Sequence, residues 1–272
     1  MPSARLKVLS QARQIQLQLY WNEKLKDPRA FVPVAKLKEL DLTEIRKGKE
    51  LFGKFASDYM CWVIGLISKD SDIARRRTAN KKILAVGYGY GHDYKRWPRK
   101  SVKLGLQTWC VDVSSSVWIW AHTNLSNQYK VMRHTDATLK LEPRVVTSEI
   151  QSLLADPHPH GLDVSSIEVC YLCRLLNCLS TSSAKIVLQE LGRIMFSSVS
   201  ETAERNAVVV INALSNDNKI CTCAGRTSIV RSKEMILANL RRGAGRSVEA
   251  RFLKYYDYFG KKVTAMTIML KS

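Results

Sequence analysis

The chain has 272 residues, 46% of them hydrophobic and 25% charged, so it can form a sizeable core and is not a disordered segment. Its longest uncharged apolar run, residues 60–67, is far shorter than the ~20 residues of a membrane span, and the N-terminus lacks the apolar stretch of a signal peptide. We therefore expect a soluble, intracellular protein, cytoplasmic or nuclear. The net charge of +19 divides into +12 over residues 1–100, zero over 101–200 and +7 over 201–272. This distribution favours a small-molecule pocket in the neutral middle and a polyanionic partner for the basic ends. The alternative is that the lysines serve solubility alone.

The first 80 residues are predicted to form a helical extension. Residues 5–25 carry apolar side chains at roughly helical spacing, and the pattern stops before Asp27-Pro28. Asp41-Leu42-Thr43-Glu44 has the form of a capping box, in which the Asp41 side chain binds free backbone N–H groups and the Glu44 side chain reaches back. A long amphipathic helix is expected to follow, with apolar positions at Leu51, Phe52, Phe55, Tyr59, Trp62 and Val63. Residues 71–80 are predicted to be an exposed polar linker.

From residue 81 onward, short apolar runs alternate with helical stretches, which is typical of an α/β fold with a mostly parallel sheet. The predicted strands are residues 83–86, 108–113, 130–132, 167–172 and 207–211. The predicted helices include residues 116–125 and 184–195. Residues 248–258 and 263–270, joined by a turn at Gly260, are expected to form an antiparallel hairpin at the sheet edge. Residues 81–272 would then form one sheet domain.

A glycine-rich loop follows the first predicted strand. Val86 leads into Gly87-Tyr88-Gly89-Tyr90-Gly91, and glycines there permit a tight turn and let a ligand approach the backbone. A dinucleotide-binding loop would place glycine at position 92, where this chain has His92, so NAD is disfavoured. Asp112, at the end of the second predicted strand, is suited to accept hydrogen bonds from both hydroxyls of a ribose.

These positions together resemble the class I S-adenosylmethionine-dependent methyltransferases over residues 81–270. The resemblance implies a Rossmann-like, mostly parallel sheet of seven strands with a C-terminal antiparallel hairpin, S-adenosylmethionine as the cofactor, and methyl transfer as the activity. The glycine loop is similar to the family's motif for the methionine part of the cofactor, Asp112 would bind the ribose, and Asp136 would lie near the adenine. The cofactor-binding residues implied are Val86, Gly87, Tyr88, Gly89, Gly91, Asp112, Val113, Asp136, Ala137, Leu172 and Cys173.

The chain also departs from the family pattern. Ala85 stands where the family commonly carries an acid, and residues 197–205 replace the usual Pro-Gly-Gly turn before the fifth strand. Pro98 interrupts residues 92–100, where the first helix after the glycine loop would run, and favours a loop over the cofactor instead. These departures leave open a non-catalytic protein that binds nucleic acid or a partner on a methyltransferase fold.

RNA is the expected acceptor, on the basis of charge and of one mixed basic and aromatic run. Its residues could stack on a base and neutralise phosphates, and they are Lys95, Arg96, Trp97, Arg99 and Lys100. The alternative for this run is an exposed loop whose Trp97 packs on the N-terminal helices. The alternative acceptor is a small molecule, with the N-terminal helices forming a lid over a pocket lined by Tyr59, Trp62 and Trp97.

No catalytic residue is predicted, because methyl transfer from a sulfonium is an in-line displacement that positioning alone can promote. Cys173 and Cys223 resemble the paired cysteines of RNA cytosine-C5 enzymes, but the proline expected before the first is absent. Cys170, Cys173, Cys221 and Cys223 could form a four-thiolate metal site. The first two, however, are three apart on a predicted strand and face opposite sides, so we expect buried, reduced thiols and no metal.

Overall fold

The computed structural model describes residues 10–67, 81–87, 96–114, 123, 125–127, 129–134, 142–197, 206–215, 219–223 and 226–271, with the backbone alone at 219–223 and 226–227. The linker predicted at residues 71–80, most of the helix predicted at 116–125 and most of the glycine loop lie outside these residues.

Three helices precede the first strand: α1 (Gln11–Lys26), α2 (Val34–Leu37) and α3 (Leu42–Ile67). The predicted capping box is confirmed, because the Glu44 N–H donates to Asp41 Oδ1 at 2.8 Å and the Asp41 N–H donates to Glu44 Oε2 at 2.9 Å. The predicted amphipathic helix is confirmed as well, and α3 buries one face that includes Phe52, Tyr59 and Met60. Within the described residues, no helix combines the length and apolarity needed to cross a bilayer.

The remaining elements alternate strands and helices. In chain order they are β1 (Lys82–Val86), α4 (Trp97–Lys103), β2 (Gln107–Asp112), β3 (Arg144–Thr147), α5 (Ile150–Ala155), β4 (Ile167–Cys173), α6 (Thr181–Phe196), β5 (Ala207–Ala213), β6 (Lys219–Cys223), β7 (Arg226–Val230), α7 (Lys233–Ala244), β8 (Val248–Tyr258) and β9 (Lys261–Leu270). Short 3-10 turns cover residues 158–160, 164–166 and 176–178.

Seven strands form one sheet in the order β3-β2-β1-β4-β5-β9-β8. The first five in this order are parallel, β9 runs antiparallel to both of its neighbours, and β8 lies at the edge. The predicted α/β fold with a mostly parallel sheet and a C-terminal antiparallel hairpin is confirmed. Strands β6 and β7 pair with each other in a separate antiparallel hairpin.

The third strand was predicted at the wrong place. Residues 130–132 belong to a helical stretch over 129–134, on which Tyr129 and Met132, three residues apart, are buried together. The strand is Arg144–Thr147, which lies at the sheet edge and is nowhere fully buried, so its hydrophobic signal is weak.

The prediction of a loop over residues 92–100 is also wrong for residues 97–100, which belong to a helix. Helix α4 begins at Trp97, and Pro98 lies in its first turn. A proline is tolerated there because the N–H groups of the first turn have no partner within a helix.

Successive side chains of the central strands alternate between two cores. Leu84 and Val86 of β1 pack with α5, α6 and α7, whereas Ile83 and Ala85 pack with α3 and α4. The boundary predicted between residues 80 and 81 therefore separates helices from strands along the chain, while in space α3 shares one core with the sheet. With both faces covered, ligand access is left at the strand ends, where the carboxyl ends of the parallel strands meet the N-terminal helices.

Candidate active site

A cavity of about 490 Å³ lies at the carboxyl ends of β1, β2, β3 and β4. Strand β1 has β2 on one side and β4 on the other, so the chain order reverses here, which is where open α/β sheets bind ligands. The volume falls within the ~300–1,000 Å³ typical of small-molecule sites. Helices α1 and α3 and the loop between α1 and α2 complete the wall.

Gly87, the first residue after β1, lines the cavity in a conformation that suits glycine. Its φ is +72°, and a Cβ placed on it would lie 3.1 Å from the Cβ of Leu175. Its N–H donates to the carbonyl oxygen of Val111 at 3.0 Å, which fixes the turn at the end of β1. Glycine at this position thus suits the turn and the close approach of Leu175 on the cavity wall. Tyr88, Gly89 and Gly91 lie outside the described residues.

Asp112 ends β2, and its side chain lines the same cavity beside Val113. Asp112 Oδ1 accepts a hydrogen bond from the Ser114 N–H at 2.9 Å. The Ser114 hydroxyl in turn donates to Asn22 Oδ1 of α1 at 2.6 Å, which ties the N-terminal helix to the end of β2. Of the other implied cofactor residues, Val86 and Cys173 line the cavity, whereas Leu172 is fully buried in the sheet.

Glu149 is a cavity residue that the sequence analysis missed. It follows β3 and caps α5, accepting hydrogen bonds from the N–H groups of Gln151 at 2.8 Å and Ser152 at 3.1 Å. Burial raises the pKa of Glu149, although these hydrogen bonds oppose the shift. The acid predicted for this place, Asp136, lies outside the described residues, as does Ala137.

Another part of the cavity wall is cationic and aromatic. Arg174 follows β4 with a φ of +58°, and its guanidinium carbon lies 5.0 Å from the ring centroid of Phe31, 5.5 Å from that of Phe52 and 4.4 Å from that of Tyr258. Its Nη2 donates to the carbonyl oxygen of Phe31 at 3.2 Å. Burial lowers the pKa of Arg174, but the adjacent Tyr258, Cys173 and Cys178 together outweigh burial and raise the pKa, so the side chain is a cation.

A second cation, Lys49 of α3, lines the cavity as well. Its Nζ donates to the carbonyl oxygen of Pro28 at 2.5 Å. Burial, and next the charge of Arg174, lower the pKa of Lys49 to about 8, while Asp27 acts in the opposite direction. Two positive charges therefore share one partly desolvated space.

The N-terminal helices cover the cavity, but with other aromatic residues than those predicted. Tyr59 is turned to β9 and β8, where its hydroxyl donates to the carbonyl oxygen of Phe252 at 2.7 Å, and Trp62 packs edge-to-face on the ring of that phenylalanine. The aromatic lining comes instead from α1, the loop after it, α3 and β8: Trp21, Phe31, Phe52 and Tyr258. Trp21 and Phe31 stack with ring centroids 6.1 Å apart, so the cover is itself packed.

Of the run predicted to stack on a base, residues 96–100 are described, and their aromatic residue is not available for stacking. Trp97 is fully buried, with its ring centroid 5.8 Å from that of Tyr171, so its indole cannot stack on a base; it packs in the same core as α3, the alternative raised from sequence. Lys100 Nζ donates to the carbonyl oxygen of Cys61 at 2.7 Å. Arg96 and Arg99 are exposed, and Lys95 lies outside the described residues.

The described cysteines are buried or half-buried thiols. Burial raises the pKa of both Cys61 and Cys170, so they are protonated at neutral pH. Among the described residues, no three His, Cys, Asp or Glu side chains come together as a metal site would require. The side chains of Cys221 and Cys223 are outside the described set.

No protein-family model and no curated protein matches the sequence. Among solved structures, magnesium protoporphyrin IX methyltransferase from Synechocystis PCC 6803, with bound S-adenosylhomocysteine, aligns with a TM-score of 0.55 at 10% identity, over 95% of this chain and 100% of that one. An O-methyltransferase family protein from Burkholderia thailandensis aligns with a TM-score of 0.48 at 13% identity, over 96% and 71% of the two chains. A 1,6-didemethyltoxoflavin-N1-methyltransferase of the same organism gives 0.45 at 12% identity, over 77% and 79%. The first of these alignments, together with the strand order described above, shows that the chain has the Rossmann-like fold of the class I S-adenosylmethionine-dependent methyltransferases.

Proposed function

We propose that the protein is an S-adenosylmethionine-dependent methyltransferase whose acceptor is a small molecule. The observation that carries this proposal is the covered cavity at the reversal of strand order, whose lining combines glycine and acidic residues after β1, β2 and β3 with aromatic and cationic residues. A fold alone does not establish an activity, so the proposal depends on these residues.

The end of the cavity at β1, β2 and β3 suits the cofactor. Gly87 lines this wall with its backbone, Asp112 can accept hydrogen bonds from ribose hydroxyls, and Glu149 could accept one from an adenine amino group. Val86, Val113 and Cys173 would complete this wall, and Tyr88, Gly89, Gly91, Asp136 and Ala137 remain predicted cofactor residues. Bound S-adenosylmethionine would supply an electrophilic methyl group.

The contribution of the chain itself is to position the acceptor and exclude water. Helices α1 and α3 close the cavity from above, and the packed pair Trp21 and Phe31 stiffens that cover. Holding two reactants in line can supply ~7–11 kcal/mol of the barrier without an acid or base.

A small acceptor fits this arrangement better than RNA does. The cavity is roofed by the N-terminal helices, and the indole expected to stack on a base is buried. The basic flanks of the chain still predict affinity for polyanions, which would act outside the cavity.

Calorimetric titration with S-adenosylhomocysteine, the demethylated product, tests the proposal. We expect a single site for the wild-type protein and a loss of affinity of at least about tenfold in Asp112→Ala, because each hydrogen bond to a charged carboxylate contributes ~1.5–3 kcal/mol. Asp112→Asn retains an acceptor for the Ser114 N–H and should fall between the two.

Asp156→Asn, at an exposed position after α5, is the matched control and should bind like the wild type. Addition of a short RNA should leave the affinity unchanged, whereas an RNA-dependent increase would favour the RNA acceptor. Absence of binding to the wild-type protein would contradict the proposal and support a non-catalytic role for the fold.

A further inference from the structure

One described acid, Asp27, lines the cavity near the two cations, and its charge raises the pKa of Lys49. No described carboxylate forms an ion pair with Arg174 or with Lys49. Lys49 Nζ and Arg174 Nη2 each donate a hydrogen bond to a backbone carbonyl oxygen. A guanidinium has five N–H donors and an ammonium three, so both retain capacity for a ligand.

The backbone of Arg174 is held in an unfavourable conformation. A φ of +58° is uncommon for a residue other than glycine, and the Arg174 N–H donates to the carbonyl oxygen of Ile211 in β5 at 2.8 Å. Such outliers persist where the surrounding structure imposes them, and they concentrate at binding sites. Here the conformation directs a half-buried cation to the cavity between β4 and the N-terminal cover.

The surroundings of Arg174 favour a flat, apolar ligand body. Phe31, Phe52 and Tyr258 surround the guanidinium, and Tyr258 is 4% exposed. Its hydroxyl lies near enough to the Arg174 guanidinium to raise the pKa of that side chain. Aromatic rings pack favourably against other aromatic rings.

We propose that Arg174 and Lys49 bind a carboxylate of the acceptor, and that the acceptor is a small aromatic carboxylate. Guanidinium groups bind carboxylates through two parallel N–H···O bonds, which fixes the orientation of the acceptor as well as its charge. Two like charges that repel each other in the empty cavity would both be stabilised by one anion between them. This inference rests on the proposed function, since it names the acceptor of that reaction.

The test compares a carboxylate with its neutral amide. Protein saturated with S-adenosylhomocysteine is titrated with 2-naphthoate and with 2-naphthamide, which share the ring system and differ in charge. We expect at least tenfold tighter binding of 2-naphthoate to the wild-type protein. This preference should fall below threefold in Arg174→Met, decrease in Lys49→Met, and be partly retained in Arg174→Lys. Lys54→Met, an exposed position on the same helix, is the matched control and should keep the full preference.

A second arm separates the acceptor from the cofactor, which carries a carboxylate of its own. S-adenosylhomocysteine and 5′-methylthioadenosine, which lacks that carboxylate, are titrated into the wild-type protein and Arg174→Met. The proposal is supported if the ratio of the affinities for S-adenosylhomocysteine and 5′-methylthioadenosine is the same in the wild-type protein and in Arg174→Met. A loss of affinity confined to S-adenosylhomocysteine would overturn it, because the cations would then bind the carboxylate of the cofactor. Equal affinity of the wild-type protein for 2-naphthoate and 2-naphthamide in the first experiment would also overturn it.

The two proposals fail separately. Should the wild-type protein not bind S-adenosylhomocysteine, the proposed function fails, while titrations of 2-naphthoate without cofactor still test the anion site. Circular dichroism melting of each variant confirms that the compared proteins are folded.

Discussion

The crossing of α6 and α7 gives a stability prediction with a magnitude that follows from the geometry. A Cβ placed on Gly243 of α7 would lie 1.7 Å from the carbonyl oxygen of Gln189 in α6, whereas ordinary contacts begin at 3.4 Å. In Gly243→Ala the two helices must therefore move apart by more than about 1 Å. Buried side chains on both helices would lose contact with each other: Leu188, Leu191, Ile236 and Leu240.

The cost of this separation is estimated from those four side chains. Burial of each stabilises the fold by ~2 kcal/mol, and a radial gap of ~1 Å forfeits up to about half of the contact energy, which gives ~2–4 kcal/mol. The better helix propensity of alanine offsets ~1 kcal/mol. We expect a net destabilisation of ~1–3 kcal/mol, equivalent to a Tm lower by roughly 3–10 °C.

Urea denaturation followed by circular dichroism measures this difference. Ala238→Gly, at an exposed position of α7, is the control that reports the propensity contribution in the same helix and should destabilise by ~1 kcal/mol. The close crossing would be refuted if Gly243→Ala were as stable as the wild type. It would also be refuted if Gly243→Ala were more stable by the propensity difference that Ala238→Gly measures.

Two further predictions concern the N-terminal helices. Asp41→Ala removes the capping box of α3 and should lower the free energy of unfolding by ~1 kcal/mol in urea denaturation; an unchanged midpoint would show that the cap contributes nothing. The pKa of Lys49 is lowered to about 8 from the 10.5 of an unperturbed lysine. Between these two pH values the unfolded chain binds more protons than the folded protein does. The destabilisation caused by the charged Lys49 therefore decreases as the pH rises through this window. The gain in stability from Lys49→Met should therefore be larger at pH 7 than at pH 10. We expect the two gains to differ by about 2 kcal/mol, which is less than the full pKa shift implies because the ammonium retains some solvent contact. A pH-independent difference between the two urea midpoints would contradict this.

Local patterns were sufficient for much of the fold. The capping box places the start of α3, the apolar run before Gly87 identifies β1, and Asp112 ends β2 as predicted. These features depend on residues close together in sequence or on continuous burial, and both leave a strong pattern.

Features that depend on distant residues were not predictable in this way. Strand β3 has four residues at a sheet edge, so neither length nor burial marks it, and the cavity acid Glu149 was missed with it. Glu149 had a local signal nonetheless, since an acid directly before the apolar run of α5 is favoured at a helix N-terminus. The pocket formed by Phe31, Arg174 and Tyr258 joins positions more than eighty residues apart, and no spacing rule relates them.

The central claim is that the cavity beneath the N-terminal helices binds the methyl-donor cofactor. A crystal structure of the protein grown with S-adenosylhomocysteine tests it most directly. The account predicts the ribose hydroxyls within hydrogen-bond distance of the Asp112 carboxylate, the adenine beside Glu149, and the sulfur directed to the space in front of Arg174. A cofactor bound elsewhere, or a cavity that remains empty at saturating cofactor, would contradict it.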